Sequence, residues 1–497
     1  MAKIATALPN ATVMLDRASA VALYRQLYDQ LRAAILSGHL PPGTRLPSTR
    51  EFAAELGVAR NTVVNAFDQL YAESYLEARV GDGTYVSRQL PDELLRAERH
   101  KPVLRSARDH APTLSSWGAT VAATSIAPAD YPGRPRPFRT STPALDAFPY
   151  QLWGRLLARC WRDHGRELLP YGDPAGFMPL RRAIAAYLNT MRGVRCQPEQ
   201  LLVLSGSQHA LDLVAKLLIN PGDAVWLEDP GFLGARAALS AAGARLVPVP
   251  VDGEGLNVAA GAARCANPRL IYITPSHQYP LGMTLTLRRR LALLQFASRA
   301  GAWIVEDDYD SEFRYVGRPL AALQGLDTEQ RVIYVGTLSK VLFPAIRIGY
   351  VVAPPRLFEA FIRARMLAGH QSPVLEQAAL TSFITEGHFA RHVRRMRALY
   401  AARQQALLKA AGRELGGLLD IEPSDAGMHL MGWLPAGYDD CAATRAAAAR
   451  GVEVIPLSAY CLEPQPRGAL RLGYTGYTPR QIWHGVRSLA TALRGVS

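Results

Sequence analysis

Two spacings of apolar residues divide this chain. Near the N-terminus Leu23, Leu27, Leu31 and Ile35 recur every four residues, which predicts an amphipathic helix over 21–37. Gly38 stops it, and Pro41-Pro42-Gly43 reads as a turn. Ser48-Thr49-Arg50-Glu51 has the form in which a serine and a glutamate side chain each take an open backbone N–H. A second helix therefore starts there, with Phe52, Ala53 and Leu56 inward. After a tight turn at Gly57 a third helix begins near Arg60, with Val63, Val64, Phe67, Leu70 and Tyr71 inward. Two short helices about a glycine turn make a helix-turn-helix. Residues 80–86, Val-Gly-Asp-Gly-Thr-Tyr-Val, read as a hairpin tip returning on a strand, a wing beside the helices.

From 89 to 136 neither period persists, apart from one short segment over 93–99. Pro91, Pro102, Pro112, Pro128, Pro132 and Pro135 punctuate the stretch. Loops of this length are uncommon inside a compact domain, so it reads as a linker between domains 1–88 and 137–497. Its Arg96, Arg99, Lys101, Arg105 and Arg108 read as a solvated basic tether before a phosphate contact.

Beyond 137 the apolar runs are short and rich in β-branched residues: 201–204, 224–227, 270–273, 303–305 and 332–335, the last expected to stop at Gly336. Each ends in a polar cluster. In order these are Ser205-Gly206-Ser207-Gln208, Glu228-Asp229-Pro230-Gly231-Phe232, a nine-residue stretch over 274–282 containing His277 and Gln278, Glu306-Asp307-Asp308-Tyr309-Asp310, and Thr337 with Ser339, Lys340 and Arg347. Buried strands that alternate with helices and carry chemistry at their carboxyl ends predict an α/β fold with a mainly parallel sheet and a ligand at one edge.

Composition narrows this. The 49% hydrophobic and 20% charged content suits a soluble globular protein with a large core. No apolar run approaches the length of a membrane span, and 1–17 lacks a signal-peptide pattern, so a cytoplasmic location is expected. The five cysteines are scattered without a C-x-x-C, which predicts neither a disulfide framework nor a metal site. The net charge of +14 divides as +1 over 1–88, +2 over 89–136 and +11 over 137–497. DNA contact by the head must then come from local placement of Arg45, Ser48, Arg50, Arg60, Asn61, Thr62 and Gly83. The runs 288–290 and 391–397 read first as solvated helix faces, and second as contacts to flanking DNA.

Lysine is scarce: Lys3, Lys101, Lys216, Lys340 and Lys409 are the only five. A lysine kept where arginine is the usual cation points to its amine, which alone can lose a proton and condense with an aldehyde. Lys216, inside the apolar run 213–219, reads instead as a surface residue with a buried stem. The clusters together suit a phosphorylated pyridine aldehyde. Ser205, Gly206 and Ser207 open a helix whose amides face a phosphate, and Thr337 and Arg347 complete that cup. Asp307 is placed to hold a proton on the ring nitrogen, Phe232 to stack on the ring, and Tyr309 to bond its phenolic oxygen.

Residues 20–88 closely resemble the winged helix-turn-helix of the GntR family, through 46–51 (Leu-Pro-Ser-Thr-Arg-Glu), 56–63 (Leu-Gly-Val-Ala-Arg-Asn-Thr-Val) and 81–86 (Gly-Asp-Gly-Thr-Tyr-Val). Two departures stand out: Ala59 where serine is usual before the recognition helix, and Ser74 where glycine is usual. Residues 137–497 resemble fold-type-I aminotransferases, and the joined chain is similar to the MocR subfamily, typified by GabR, TauR and PdxR. That resemblance implies pyridoxal 5'-phosphate carried on Lys340, with Asp307 and Tyr309 holding the ring. It also implies Ser339 and His277 among the cofactor contacts. For His277 a supporting place in the site and a plain loop role stay open, because asparagine is usual near there. Arg471, within 470–474 (Leu-Arg-Leu-Gly-Tyr), matches the arginine that grips a substrate carboxylate. Tyr171, opening 171–176 (Tyr-Gly-Asp-Pro-Ala-Gly), matches a tyrosine that reaches the cofactor phosphate of a partner subunit, which implies a homodimer.

Two functions of different class follow. One is a transcription regulator that senses an amino-acid-like or B6-related effector and binds an operator with repeated half-sites. The other is a working aminotransferase carrying a DNA-binding head. Covalent joining of the modules favours the first, since steady turnover gains nothing from such a head.

Overall fold

The computed structural model describes residues 13–79, 82–88, 90, 114–123, 136–317 and 320–495. It divides into two units, Met1–Thr113 and Leu114–Ser497.

In the first unit, helices α1 (Leu23–Leu36), α2 (Thr49–Leu56) and α3 (Arg60–Ala72) pack around Leu27, Leu31, Phe52, Val63, Phe67 and Leu70. Strands β1 (Arg45–Leu46), β2 (Leu76–Arg79) and β3 (Gly83–Val86) form an antiparallel sheet in the order β1-β3-β2, which is the wing. Val80 and Gly81 of the expected hairpin tip lie outside the described residues, as do 93–99 and the linker residues Lys101, Arg105 and Arg108. The cap read from sequence is present: Ser48 Oγ accepts from Glu51 N at 3.3 Å, and a Glu51 oxygen accepts from Ser48 N at 3.0 Å. Gly57 ends α2 in the left-handed region at φ +62. Ala59 leaves the start of α3 with no side-chain cap.

Ser74 adopts φ +63, a conformation that costs an L-residue about 1–2 kcal/mol and a glycine almost nothing. Ser74→Gly is therefore expected to stabilise the head by about 0.5–1 kcal/mol, after the greater freedom of glycine in the unfolded chain is subtracted. Urea unfolding followed on the head's own transition measures this, and a loss of stability would contradict it.

The stretch expected to be all linker contains a helix, Ser116–Ala123, which packs near the helix Leu233–Ala241. None of its residues is buried and its apolar positions form no stripe, so periodicity could not show it.

The large unit is built on eight strands: β4 (Leu201–Leu204), β5 (Ala224–Asp229), β6 (Arg245–Asp252), β7 (Gly255–Leu256), β8 (Leu270–Ile273), β9 (Trp303–Asp308), β10 (Val332–Thr337) and β11 (Gly349–Val352). Their order is β4-β11-β10-β9-β8-β5-β6-β7, parallel from β10 through β6, with β11 and β7 antiparallel to their neighbours. Apolar residues cover both faces. Ile333 and Val335 point into one cluster, and Val332, next to Ile304 and Ile271, points into another. A smaller antiparallel sheet, β12 (Asp420–Ile421), β13 (His429–Trp433), β14 (Ile455–Pro456) and β15 (Ala469–Gly473), has the order β12-β13-β15-β14.

Three strands outrun their apolar runs. β10 continues through Gly336 to Thr337, because a Cβ at Gly336 would overlap the Tyr350 ring and its absence lets the strand pass. β5 reaches Asp229 and β9 reaches Asp308, so the carboxylates lie within the sheet rather than in the loop after it. In β9 the two-residue period then sorts three consecutive acids. Glu306 accepts from the Leu323 and Gln324 backbone N–H groups, each at 2.8 Å, and Asp308 pairs with Arg192 at 2.8 Å. Asp307 faces the other way.

Candidate cofactor site and DNA-binding surface

The carboxyl ends of β4, β9 and β10 converge on one pocket region. After β4 the chain turns at Gly206 (φ +96) into the helix Ser207–Leu218, whose first turn no side chain caps. Gly349 at the start of β11 packs backbone to backbone on that turn: a Cβ there would fall 2.7 Å from the Gly206 carbonyl carbon. The Arg347 guanidinium donates to the Ser205 carbonyl at 2.9 Å. Thr337 and Ser339 are buried beside it, with Ser339 N donating to Thr337 Oγ1 at 3.2 Å. Ser339 Oγ is buried without a hydrogen-bond partner. Open amides, an arginine and an unsatisfied hydroxyl fit a phosphate.

Asp307 stands on the next strand. Tyr272, two positions along the same face by the β8–β9 register, donates to its Oδ2 at 2.7 Å, while Oδ1 is buried with no partner. Burial pushes the Asp307 carboxyl up to about 7, opposed by the Tyr272 hydrogen bond. A protonated ring nitrogen is the kind of partner that Oδ1 lacks. The Phe232 ring meets Tyr279 edge-on at 5.2 Å, and Tyr279 meets Tyr309 at 5.6 Å. Tyr309 OH lies 2.9 Å from His277 Nδ1, and the same nitrogen lies 3.0 Å from Asp310 Oδ2. His277 is thus a buried residue behind Tyr309, not a loop residue at the surface.

Lys340 follows β10, its Nζ 3.5 Å from the Ser141 carbonyl. Burial lowers its ammonium to about 8; Arg471 and Arg347 add to that, and Asp310 and Asp307 oppose it. Arg471, on β15 opposite Met431 of β13, is 1% exposed. Its Nη1 donates to the hydroxyls of Tyr279 and Tyr460, and its Nη2 donates to Ser141 Oγ at 3.2 Å. Its Nε has no partner, and no carboxylate pairs with it among the described residues. Lys216 by contrast is a surface residue, paired with Asp212 at 2.8 Å.

The fit to a phosphorylated pyridine ring agrees with the comparisons. Residues 145–489 match the family model "Aminotransferase class I and II", and 23–86 match "Bacterial regulatory proteins, gntR family". A regulator named as the probable rhizopine catabolism regulatory protein MocR of Rhizobium meliloti is 45% identical over 97% of this chain and 95% of its own. The chain belongs to the MocR subfamily of GntR-type regulators. The transcriptional regulator TauR of Rhodobacter capsulatus is 32% identical over 98% of this chain and all of its own. Among solved structures, the α-aminoadipate aminotransferase LysN of Thermus thermophilus, complexed with N-(5'-phosphopyridoxyl)-L-leucine, superposes with a TM-score of 0.67. It is 32% identical and covers 72% of this chain and 92% of its own. The cofactor of this MocR-type chain is pyridoxal 5'-phosphate.

Several residues of the site were not singled out from sequence. Tyr279 and Asp310 lie inside the polar clusters quoted above, and Tyr272 is recoverable from the strand period. Ser141, Tyr460 and His429, whose Nδ1 lies 3.5 Å from Arg471 Nη2, come from distant segments that carried no local signal.

The helix-turn-helix gives the chain a DNA-binding head. Arg50 is exposed at the start of α2, and Arg60 and Asn61 are exposed at the start of α3; Arg60 Nε lies 3.4 Å from Thr49 Oγ1, which brings the two helix starts together. Ser48 caps the start of α2 and Thr62 lies in the first turn of α3, and Arg45 packs beside Gly83 across the wing. The basic runs of the large unit behave differently. Arg288 and Arg289 pair with Glu254 and Asp252, and Arg290 is buried on the Leu285, Ala321 and Pro275 carbonyls. His392 is buried on the Val341 carbonyl and Arg397 donates to the Glu312 carbonyl, which leaves Arg391, Arg394 and Arg395 exposed. No described helix is long and apolar enough to cross a membrane.

Proposed function

We propose that this chain senses an amino-acid-like or B6-related effector at the Lys340–Arg471 site and reports it by altered operator binding. One observation carries the reading: Arg471 is a buried cation beside Lys340, supported by hydroxyls and paired with no carboxylate among the described residues. A buried charge held this way costs several kcal/mol unless an anion meets it, and a carboxylate ligand is what a guanidinium binds best. When bound, pyridoxal 5'-phosphate supplies an aldehyde that takes up amines and a ring that draws electrons. Lys340 holds it, with Ser205, Gly206, Ser207, Thr337, Ser339 and Arg347 on the phosphate side. Asp307 faces the ring nitrogen, Phe232 the ring face and Tyr309 the phenolic oxygen, with His277 behind Tyr309.

The protein acts in the cytoplasm as a homodimer, with residues 1–88 as head, 89–136 as linker and 137–497 as sensor. Tyr171 is 86% exposed, close to exposed Leu169, and Tyr150 and Trp161 are exposed on a neighbouring helix; such a patch suits a partner subunit. Two heads of one dimer then read repeated half-sites. Screening a panel of amino acids for a change in the cofactor spectrum, and then in affinity for an operator selected from random duplexes, tests the reading. A spectral response with operator binding unchanged would overturn it. In the head, Arg60→Ala is expected to weaken operator binding by about 1–3 kcal/mol and relax preference at one base position. Titrations against base-substituted operators check this; equal loss on all of them would place Arg60 on phosphate.

Transamination is a second reading, favoured by the burial of Lys340, which lowers its ammonium to about 8 and so suits the amine to proton transfer near ordinary pH. Sustained amino-group transfer between an amino acid and a keto acid, over many turnovers, would support it.

A further inference from the structure

The hydrogen-bond geometry behind Tyr309 fixes which way that hydroxyl can point. His277 Nδ1 sits 3.0 Å from Asp310 Oδ2 and 2.9 Å from Tyr309 OH; His277 and Asp310 are buried, and Tyr309 is half-buried. A bare lone pair on Nδ1 would face the carboxylate oxygen across 3.0 Å, lone pair against lone pair. Nδ1 therefore carries the hydrogen. It shares that hydrogen with Asp310 and with the Tyr309 oxygen, which then acts as acceptor. The hydroxyl's own hydrogen is left to donate away from His277.

The imidazole is held in this orientation from its far side. A Cβ at Gly427 (φ +94) would overlap the ring, and one at Gly282 (φ +91) would lie 3.2 Å from Nε2. Nε2 is buried with no partner, so the ring is anchored through Nδ1 alone among the described contacts. Two bare glycines on one side and Asp310 on the other leave the imidazole one seat.

We propose that Asp310 and His277 form a positioning pair that makes Tyr309 an obligate donor toward the cofactor, strengthening its bond to the phenolic oxygen. This rests on the placement of pyridoxal 5'-phosphate on Lys340. Asp307 and Asp310 at the end of β9, Tyr279 after β8, Lys340 after β10, and His429 and Arg471 on β13 and β15 are the other polar and titratable groups around Tyr309 and His277. None of them offers the Tyr309 oxygen another hydrogen bond among the described contacts.

The test compares His277→Phe, which keeps a ring but no donor, with His277→Asn, whose amide nitrogen can replace Nδ1–H. The pH at which the bound cofactor's absorbance changes is expected to rise by about one unit in the Phe variant and to stay near wild type in the Asn variant, because a weaker donor stabilises the phenolate less. Nitrogen-15 NMR of the cofactor-free wild type should show His277 Nδ1 bearing the hydrogen, which needs no variant to fold. A bare Nδ1 in that spectrum, or a Phe variant titrating with wild type while cofactor is still held on Lys340, would overturn the proposal. Loss of cofactor from Lys340 in the wild type would instead count against the site itself.

Discussion

Lys340→Ala should abolish fixation of the cofactor. Borohydride treatment of the wild-type protein is expected to attach pyridoxal 5'-phosphate covalently to the peptide carrying Lys340, and the variant should carry no label at any lysine. Label on Lys216 would refute the assignment, but that side chain is exposed and paired with Asp212. The pH dependence follows from the Lys340 environment. Its ammonium is lowered to about 8 from an ordinary 10.5, first by burial and then by Arg471 and Arg347. Only the free amine condenses with an aldehyde, so cofactor uptake by cofactor-free protein should rise about tenfold per pH unit up to roughly 8 and level off above it. Between about 8 and 10.5 the unfolded chain binds the proton that the folded chain has released, so folding stability gains from this group as pH rises through that window. Stopped-flow absorbance across the pH range measures the first effect; a rate that climbs unbroken past pH 10 would contradict it.

Arg471→Ala has the second large expected effect. The guanidinium bridges two tyrosine hydroxyls and Ser141, and offers a buried unpartnered Nε. Removing it should cost a carboxylate effector about 2–3 kcal/mol of binding, a loss of roughly 30- to 150-fold. The cofactor's resting spectrum should change little, because none of the residues proposed above to hold the cofactor lies on β15. Spectral titration with the responsive amino acid separates the two. Equal affinity in variant and wild type would remove Arg471 from the effector site.

The parts of this protein that sequence displayed are those with local rules. Ser48 and Glu51 lie three residues apart, and their reciprocal cap is present as read. Runs 201–204 and 270–273 are strands with those bounds, because apolar residues on both faces leave no other place for them. The ends of β5, β9 and β10 were hidden for a physical reason: pairing with a neighbour carries a strand past its last apolar residue when the next polar side chain has a buried partner. Asp308 has Arg192, and Asp307 has Tyr272. Lys340 and Asp307 were singled out by type and spacing, whereas the hydroxyl cage of Arg471 joins positions 141, 279, 460 and 471, which no local pattern links. The helix Ser116–Ala123 was invisible because its residues pack too lightly to need a stripe.

The three acids in a row on β9 have a genetic consequence. Losing one residue upstream in the strand would slide Asp308 into the place of Asp307, so a carboxylate would still face the ring side. The same slip would bring Tyr309 opposite Arg192, leaving a buried guanidinium without its acid, at a cost of about 3–5 kcal/mol. A screen of single-codon deletions across 303–306 should therefore recover chains that fail by misfolding or proteolysis in the cell, rather than well-folded chains with an empty site.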